Sequence, residues 1–281
     1  MRMIQLFIGR ALLCVAVLLV AMAQSQAGVL YGVRNVSPTD ELFTIDTATG
    51  AATKVGDLGF LNVKGLAFDS SGTLWGVESP LSTAGQLLKI DTSTGAATSV
   101  VTLSGFASGQ AIGTLAFDHA GNLFGIEGNG FDQLVRISTS TGVVSSVGAT
   151  GYLSVADLSF NSIDTLYASD LSTSSNGELG TLSTSTGAHT HVGTPGTVLD
   201  GLAFNATGTL FAVGTGVNDQ PLLIVDPATA ATSQVGLLGT NHMTVLAAAP
   251  VPEPASLLLL GFGGLVMCVG DVTASRLRLL R

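Results

Sequence analysis

KGLAFDSSGTLWGV at residues 64–77 decides the fold, because it returns as GTLAFDHAGNLFGI at 113–126, ADLSFNSIDTLYAS at 156–169 and DGLAFNATGTLFAV at 200–213. Each copy is a small, apolar run, then a polar turn, then a second apolar run carrying an aromatic. Self-similarity at a steady period marks a repeat architecture, in which no unit buries its own apolar face and stacking of neighbours makes the core.

Working outward, each copy leads into a third apolar run: QLLKID (86–91), QLVRIS (133–138), ELGTLS (178–183) and PLLIVD (221–226). ELFTID (41–46) is a fifth, ahead of the first complete copy. The turns DTATG, DTSTG, STSTG and STSTG follow, placing Gly50, Gly95, Gly142 and Gly187 where a short hairpin needs positive φ. The leading Asp or Ser can accept hydrogen bonds from turn amides. In the fifth copy, DPATA, Ala230 replaces the glycine, which predicts a hairpin that is strained or built differently. Fourth runs come next: AATKVG, AATSVV, VVSSVG, AHTHVG and ATSQVG.

Short β-branched and apolar runs between regular turns predict an all-β chain. Four strands per period of 43 to 49 residues predict propeller blades. The first copy begins at VLYGV (29–33) without its first strand, and TVLAA (244–248) lies where one more first strand is due. Joining the two closes a five-bladed β-propeller of four-stranded blades over 28–249, with repeats at about 29–63, 64–112, 113–155, 156–199 and 200–248. Ala248 stands where the other copies have Phe68, Phe117, Phe160 and Phe204, so the closing strand is expected to be the weakest. An open β-solenoid is the alternative. The second-strand aromatics Tyr31, Trp75, Phe124, Tyr167 and Phe211 are expected to pack between sheets, not to form a platform for ligands.

With LAF-x-x-x-G-x-LYG strands followed by ID-x-x-TG turns, the repeats resemble the YVTN-type and related bacterial propeller repeats over about four fifths of the chain. The resemblance implies an architecture and no particular activity, since propellers host binding, scaffolding and catalysis.

Both ends depart from this pattern. Residues 1–27 carry Arg2 and Arg10, an apolar run from Ala11 to Ala23 and a small-residue end at Ala27. They read as a signal helix cleaved by signal peptidase after Ala27, with Ala21 and Ala23 offering a second site. An uncleaved anchor is the alternative. The cysteines are Cys14 and Cys268, both outside the repeats, so the exported domain has no disulfide and is held by its core. Between Gly28 and Pro250 five basic residues face seventeen acidic ones, a net of −12. No basic stripe exists to neutralise phosphates, which excludes nucleic acid as a partner.

The C-terminal segment 250–281 runs Val251, Pro252, Glu253, Pro254, then the apolar stretch 255–270, then Arg276, Arg278 and Arg281. An apolar run ending in cations predicts a transmembrane helix with its end held in the cytoplasm. The order is similar to the PEP-CTERM sorting signal, the tag on exosortase substrates of Gram-negative bacteria. That resemblance implies Val251–Pro254 as the recognition motif, 255–270 as the helix and the three arginines as the cytoplasmic stop. It also implies transient residence in the inner membrane, processing by an exosortase, and release or attachment at the cell surface, often alongside exopolysaccharide. A permanent C-terminal anchor is the alternative.

Catalytic motifs are missing: no nucleophile–His–acid spacing, HExxH, P-loop, dinucleotide fingerprint or EF-hand loop can be found. His189 and His191 alternate onto one face of a fourth strand, as a metal pair would require, but lie in a variable outer register and read as polar filler. His119 reads as turn chemistry. Glu78, Glu127 and Asp170 follow the second strand in three copies and could form a rim suited to Ca2+ or a sugar, against the plainer reading of a solvated acidic edge. The expectation is a non-catalytic, exported, surface-associated propeller without a cofactor, serving as an interaction or extracellular-matrix module. Its partners would be extracellular polysaccharide or a surface protein. The alternative is an exported sugar-binding protein or a hydrolase or lyase acting through that rim.

Overall fold

The computed structural model describes residues 29–80, 85–105, 110–128, 132–171, 176–216 and 219–250, and among them every regular element is a strand. In chain order β1 (Leu30–Arg34), β2 (Glu41–Ile45) and β3 (Ala52–Asp57) come first. The second blade is β4 (Val63–Phe68), β5 (Leu74–Glu78), β6 (Gln86–Ile90) and β7 (Ala97–Thr102). The third is β8 (Ala111–Phe117), β9 (Leu123–Gly128), β10 (Gln133–Ile137) and β11 (Val144–Ala149). The fourth is β12 (Val155–Phe160), β13 (Leu166–Asp170), β14 (Glu178–Leu182) and β15 (His189–Gly193). Last come β16 (Leu199–Phe204), β17 (Leu210–Gly214), β18 (Pro221–Val225), β19 (Thr232–Leu237) and β20 (Met243–Ala248).

These strands form five antiparallel four-stranded sheets, and the first blade is β20-β1-β2-β3, assembled from both ends of the domain. β20 pairs with β1 from Leu30↔Ala248 to Arg34↔Met243, so the closing strand is fully formed despite lacking its phenylalanine. The innermost strands β20, β4, β8, β12 and β16 lie side by side around the axis. The expected signal helix at 1–27 with Ala27, and the tail with Val251–Pro254, the helix at 255–270 and Arg276, Arg278 and Arg281, lie outside the described residues.

The hairpin between third and fourth strands follows its sequence closely. Gly50, Gly95, Gly142 and Gly187 have φ of 80°, 83°, 72° and 80°. In the first copy Asp46 Oδ1 accepts from the amides of Ala48 at 2.8 Å and Thr49 at 2.9 Å. Ala230 adopts the same turn at φ 62°, and Asp226 caps it from below at 2.9 Å to the Ala228 amide. The fifth hairpin is therefore strained and not rebuilt, at a cost of about 1 kcal/mol for a residue with a Cβ.

Three devices hold neighbouring blades together, each at four of the five seams. Near the axis, second-strand aromatics meet the first-strand Phe of the following blade: Tyr31–Phe68, Trp75–Phe117, Phe124–Phe160 and Tyr167–Phe204, with centroids 5.6, 6.3, 5.6 and 5.1 Å apart. The tilted and edge geometries are those aromatic pairs prefer. At the periphery, the Thr-Gly turn of one blade, or Thr229–Ala230 in the fifth, sits against a glycine at or next to the end of the fourth strand of its neighbour. A Cβ on Gly56, Gly148, Gly193 or Gly236 would run into the carbonyl of Thr94, Thr186, Thr229 or Thr49 respectively. Between the second and third blades Val101 replaces that glycine, and the seam is closed by a parallel bridge in which the Val144 amide donates to the Ser104 carbonyl at 2.7 Å. At the third level, the amide opening an innermost strand is capped from the preceding blade. Val63 donates to Asp40, Ile112 to Ser79, Val155 to Asp132 and Met243 to Gln220.

Candidate functional site

The ring of innermost strands leaves an axial channel with two unlike ends. At the end where first and second strands join, Phe68, Phe117, Phe160, Phe204 and Ala248 form a half-buried collar around a funnel of about 350 Å3. Below it a throat of about 120 Å3 is walled by the strand stretches 66–68, 115–117, 158–160, 202–204 and 246–248. One residue further along the strands the channel is shut.

Asp157 shuts it. Its side chain is fully buried at the axis, where Leu202 and Leu246 donate amides to Oδ2 at 2.9 and 3.2 Å. Oδ1 accepts from the Leu158 amide at 2.9 Å and from the Thr114 hydroxyl. Edge amides of an innermost strand have no sheet partner, and a buried N–H without an acceptor is costly. One carboxylate thus serves donors from four of the five blades. The same register position holds Gly65, Thr114, Gly201 and Val245 in the other blades, and the two glycines let the next innermost strand approach closely, since a Cβ on Gly65 would meet Thr114 and Leu115 and one on Gly201 would meet Val245 and Leu246. Burial pushes the Asp157 carboxyl up to about 7, outweighing the opposing hydrogen bonds from Thr114, Leu202, Leu246 and Leu158.

The far end carries the three expected carboxylates. Glu78, Glu127 and Asp170 occupy one register position, opposite Gln86, Gln133 and Glu178 on the third strands. Arg34 and Gly214 hold that position in the remaining blades, so the acidic row is interrupted. Glu78 accepts from the Gln86 amide group, and Asp170 is buried and accepts from the Ser154 amide at 3.2 Å. These residues stand one strand out from the axis, and among the described residues no group of three or more His, Cys, Asp or Glu could hold a metal ion. Neighbouring acids are raised by burial: Asp40, Asp132 (with the Asp170 charge adding to it), and Asp200 to about 6, against a hydrogen bond from Gln220.

His119 and His189 make contacts between blades, and His191 pairs within its own blade. His119 Nδ1 lies 2.7 Å from Asp164 Oδ1 in the turn of the next blade, and Asp164, at φ 60°, stands where the sibling turns have glycine. His189 stacks on Tyr152 at 4.4 Å with its Nδ1 2.7 Å from the Thr150 carbonyl oxygen, and His191 Nδ1 lies 3.0 Å from Glu178 Oε1. Both histidines of the pair lie exposed on the fourth strand, as the reading of polar filler expected, and each also has a polar partner. Asp157 and the capping acids were missed in the sequence. Asp157 had one signal: it is the sole acid at a position that is otherwise Gly, Thr, Gly and Val in aligned first strands.

No protein-family model and no curated protein matches this chain. Among solved structures, a chain of the nidogen/laminin complex aligns with a TM-score of 0.55 at 13% identity, covering 80% of this chain and all of that one. A protein of unknown function from Bacteroides thetaiotaomicron aligns at 0.51 with 16% identity, covering 74% and 55%. A putative gluconolactonase aligns at 0.50 with 14% identity, covering 78% and 80%. At these identities the chain shares with them the β-propeller fold.

Proposed function

We propose that this chain is an exported, surface-associated β-propeller without catalytic activity, acting as an interaction or extracellular-matrix module and delivered by its C-terminal segment. The observation that supports it most is the closed channel. A propeller enzyme converges reactive groups on the axis, and here the axial carboxylate is consumed by four donors that tie blades together. What stays accessible on the axis is a collar of phenylalanines above walls of strand backbone. Solved propellers range from a partner in the nidogen/laminin complex to a putative gluconolactonase, so the fold alone does not choose between binding and hydrolysis.

Delivery is tested by mass spectrometry of the exported protein. A new C-terminus at or near Val251–Pro254 is expected, and surface protein still ending at Arg281 would overturn the sorting. The second reading, a sugar or Ca2+ rim, draws on the shared register of Glu78, Glu127 and Asp170. Replacing Glu78 and Glu127 by alanine is expected to leave retention on a carbohydrate array or on Ca2+-loaded resin unchanged. Loss of retention in a folded variant would favour the rim.

A further inference from the structure

The collar has a vacancy. Four second-strand aromatics find a phenylalanine in the next blade, while Phe211 meets Ala248. The missing ring leaves an opening in the funnel between Phe204 and Phe68, bordered by Ala249 and Pro250. At about 350 Å3 the funnel lies near the bottom of the range of about 300–1,000 Å3 typical of ligand pockets, enough for one large side chain and too little for an oligosaccharide.

Charge narrows the occupant further. Asp69, Asp118 and His119 lie on the funnel's rim, where the Asp118 carboxylate also accepts from the amide and the side-chain NH2 of Asn122, and the lining contains neither Lys nor Arg. Burial would raise Asp69, but hydrogen bonds from Ser71, the Trp75 indole and the Thr73 amide hold it below the usual carboxylate range. The surrounding domain is strongly acidic, which concentrates cations at such a mouth.

We propose that the funnel docks a partner polypeptide through one aromatic side chain, which enters the place left by Ala248, with a basic neighbour held against Asp69 and Asp118. This rests on the reading of the chain as an interaction module and names the class of partner. A bulky apolar anchor in a pocket, with a charged group at the rim, is the usual composition of a binding hot spot.

Trp75 is the one tryptophan of the chain, and its Nε1 donates to Asp69 Oδ2 at 2.8 Å, so its emission reports on the rim. The full-length chain in mild detergent is titrated with the peptide acetyl-Arg-Phe-Arg-amide. A saturable change in Trp75 emission is expected, at least tenfold weaker for acetyl-Glu-Phe-Glu-amide and for acetyl-Arg-Ala-Arg-amide. Ala248→Phe completes the collar, so it is expected to keep the fold, raise the Tm by packing on Phe211, and weaken binding at least tenfold. Asp118→Asn, which leaves the collar intact, is expected to weaken it about threefold. No saturable response, indifference to peptide charge, or undiminished binding by folded Ala248→Phe would each overturn the proposal. Retention on washed producer cells separates the two levels. If Ala248→Phe is retained like the wild type, the funnel is not the docking site and the interaction module stands; if the wild type itself is not retained, the module reading fails.

Discussion

Replacing Asp157 with alanine is expected to lower the stability of the propeller by about 3 to 5 kcal/mol at pH 5, read as a shift in the denaturant midpoint. The variant strips the acceptor from the Leu158, Leu202 and Leu246 amides and from the Thr114 hydroxyl. A buried donor left unpaired costs about 1–3 kcal/mol, and water entering from the throat recovers part of that. Asp157→Asn keeps the shape and one acceptor oxygen, so its loss at pH 5 is expected to be about 1 to 2 kcal/mol.

The two variants part company as the pH rises. The Asp157 carboxyl keeps its proton in the fold to about 7, against an ordinary 3.8 once unfolded. Between those values the folded state binds the extra proton, so stability falls as pH rises, by 1.36 kcal/mol per pH unit for one group. Across the whole window the loss is about 4 kcal/mol, complete above pH 7. Asp200, raised to about 6, adds to the same slope up to that pH. Asparagine cannot ionise. Asp157→Asn is therefore expected to be less stable than wild type at pH 5 and more stable at pH 8.5. Parallel stability curves for the two proteins across this range would refute the assignment of the slope to Asp157.

Aligned strands made the blades legible. Register inside a blade follows from alternation and turn chemistry, both local, and the turns at Gly50, Gly95, Gly142 and Gly187 fold as their sequences dictate. Closure was legible too, because TVLAA falls one period after the last first strand. What stayed hidden lies between blades. Asp157 meets Leu202 45 residues away and Leu246 89 away, and His119 meets Asp164 45 away. Such pairs depend on how far one sheet leans over the next, and spacing along the chain carries no measure of that. The glycine ending the fourth strands was visible as a recurring letter, but its reason is the carbonyl of a neighbouring turn. The rim at Glu78, Glu127 and Asp170 was found as a register position; the sequence did not show that Asp170 is buried or that Gln86 engages Glu78.

Gly236→Ala is the sharpest test of that seam, and it is expected to cost about 2 to 4 kcal/mol. Gly236 does not need positive φ, so with room for a methyl the substitution would stabilise the protein by about 0.4–1 kcal/mol through the unfolded chain. There is no room: the added Cβ would run into the Thr49 carbonyl oxygen, with Gly50 behind it at φ 80°. The obstacle is backbone, which cannot swing aside as a side chain does, so either the turn at Asp46–Gly50 or the end of β19 must withdraw. This seam joins the fifth blade to the first, the blade that β20 completes, and strain here acts on the closure of the ring. Amide exchange in β1 and β20 is therefore expected to accelerate more than in β8 and β9. Gly239→Ala is the control, since Gly239 has φ 71° with open space around it and should lose only about 1 kcal/mol from its backbone. A Gly236→Ala protein as stable as wild type, or one losing no more than Gly239→Ala, would show that the turn-on-glycine contact does not hold the ring shut.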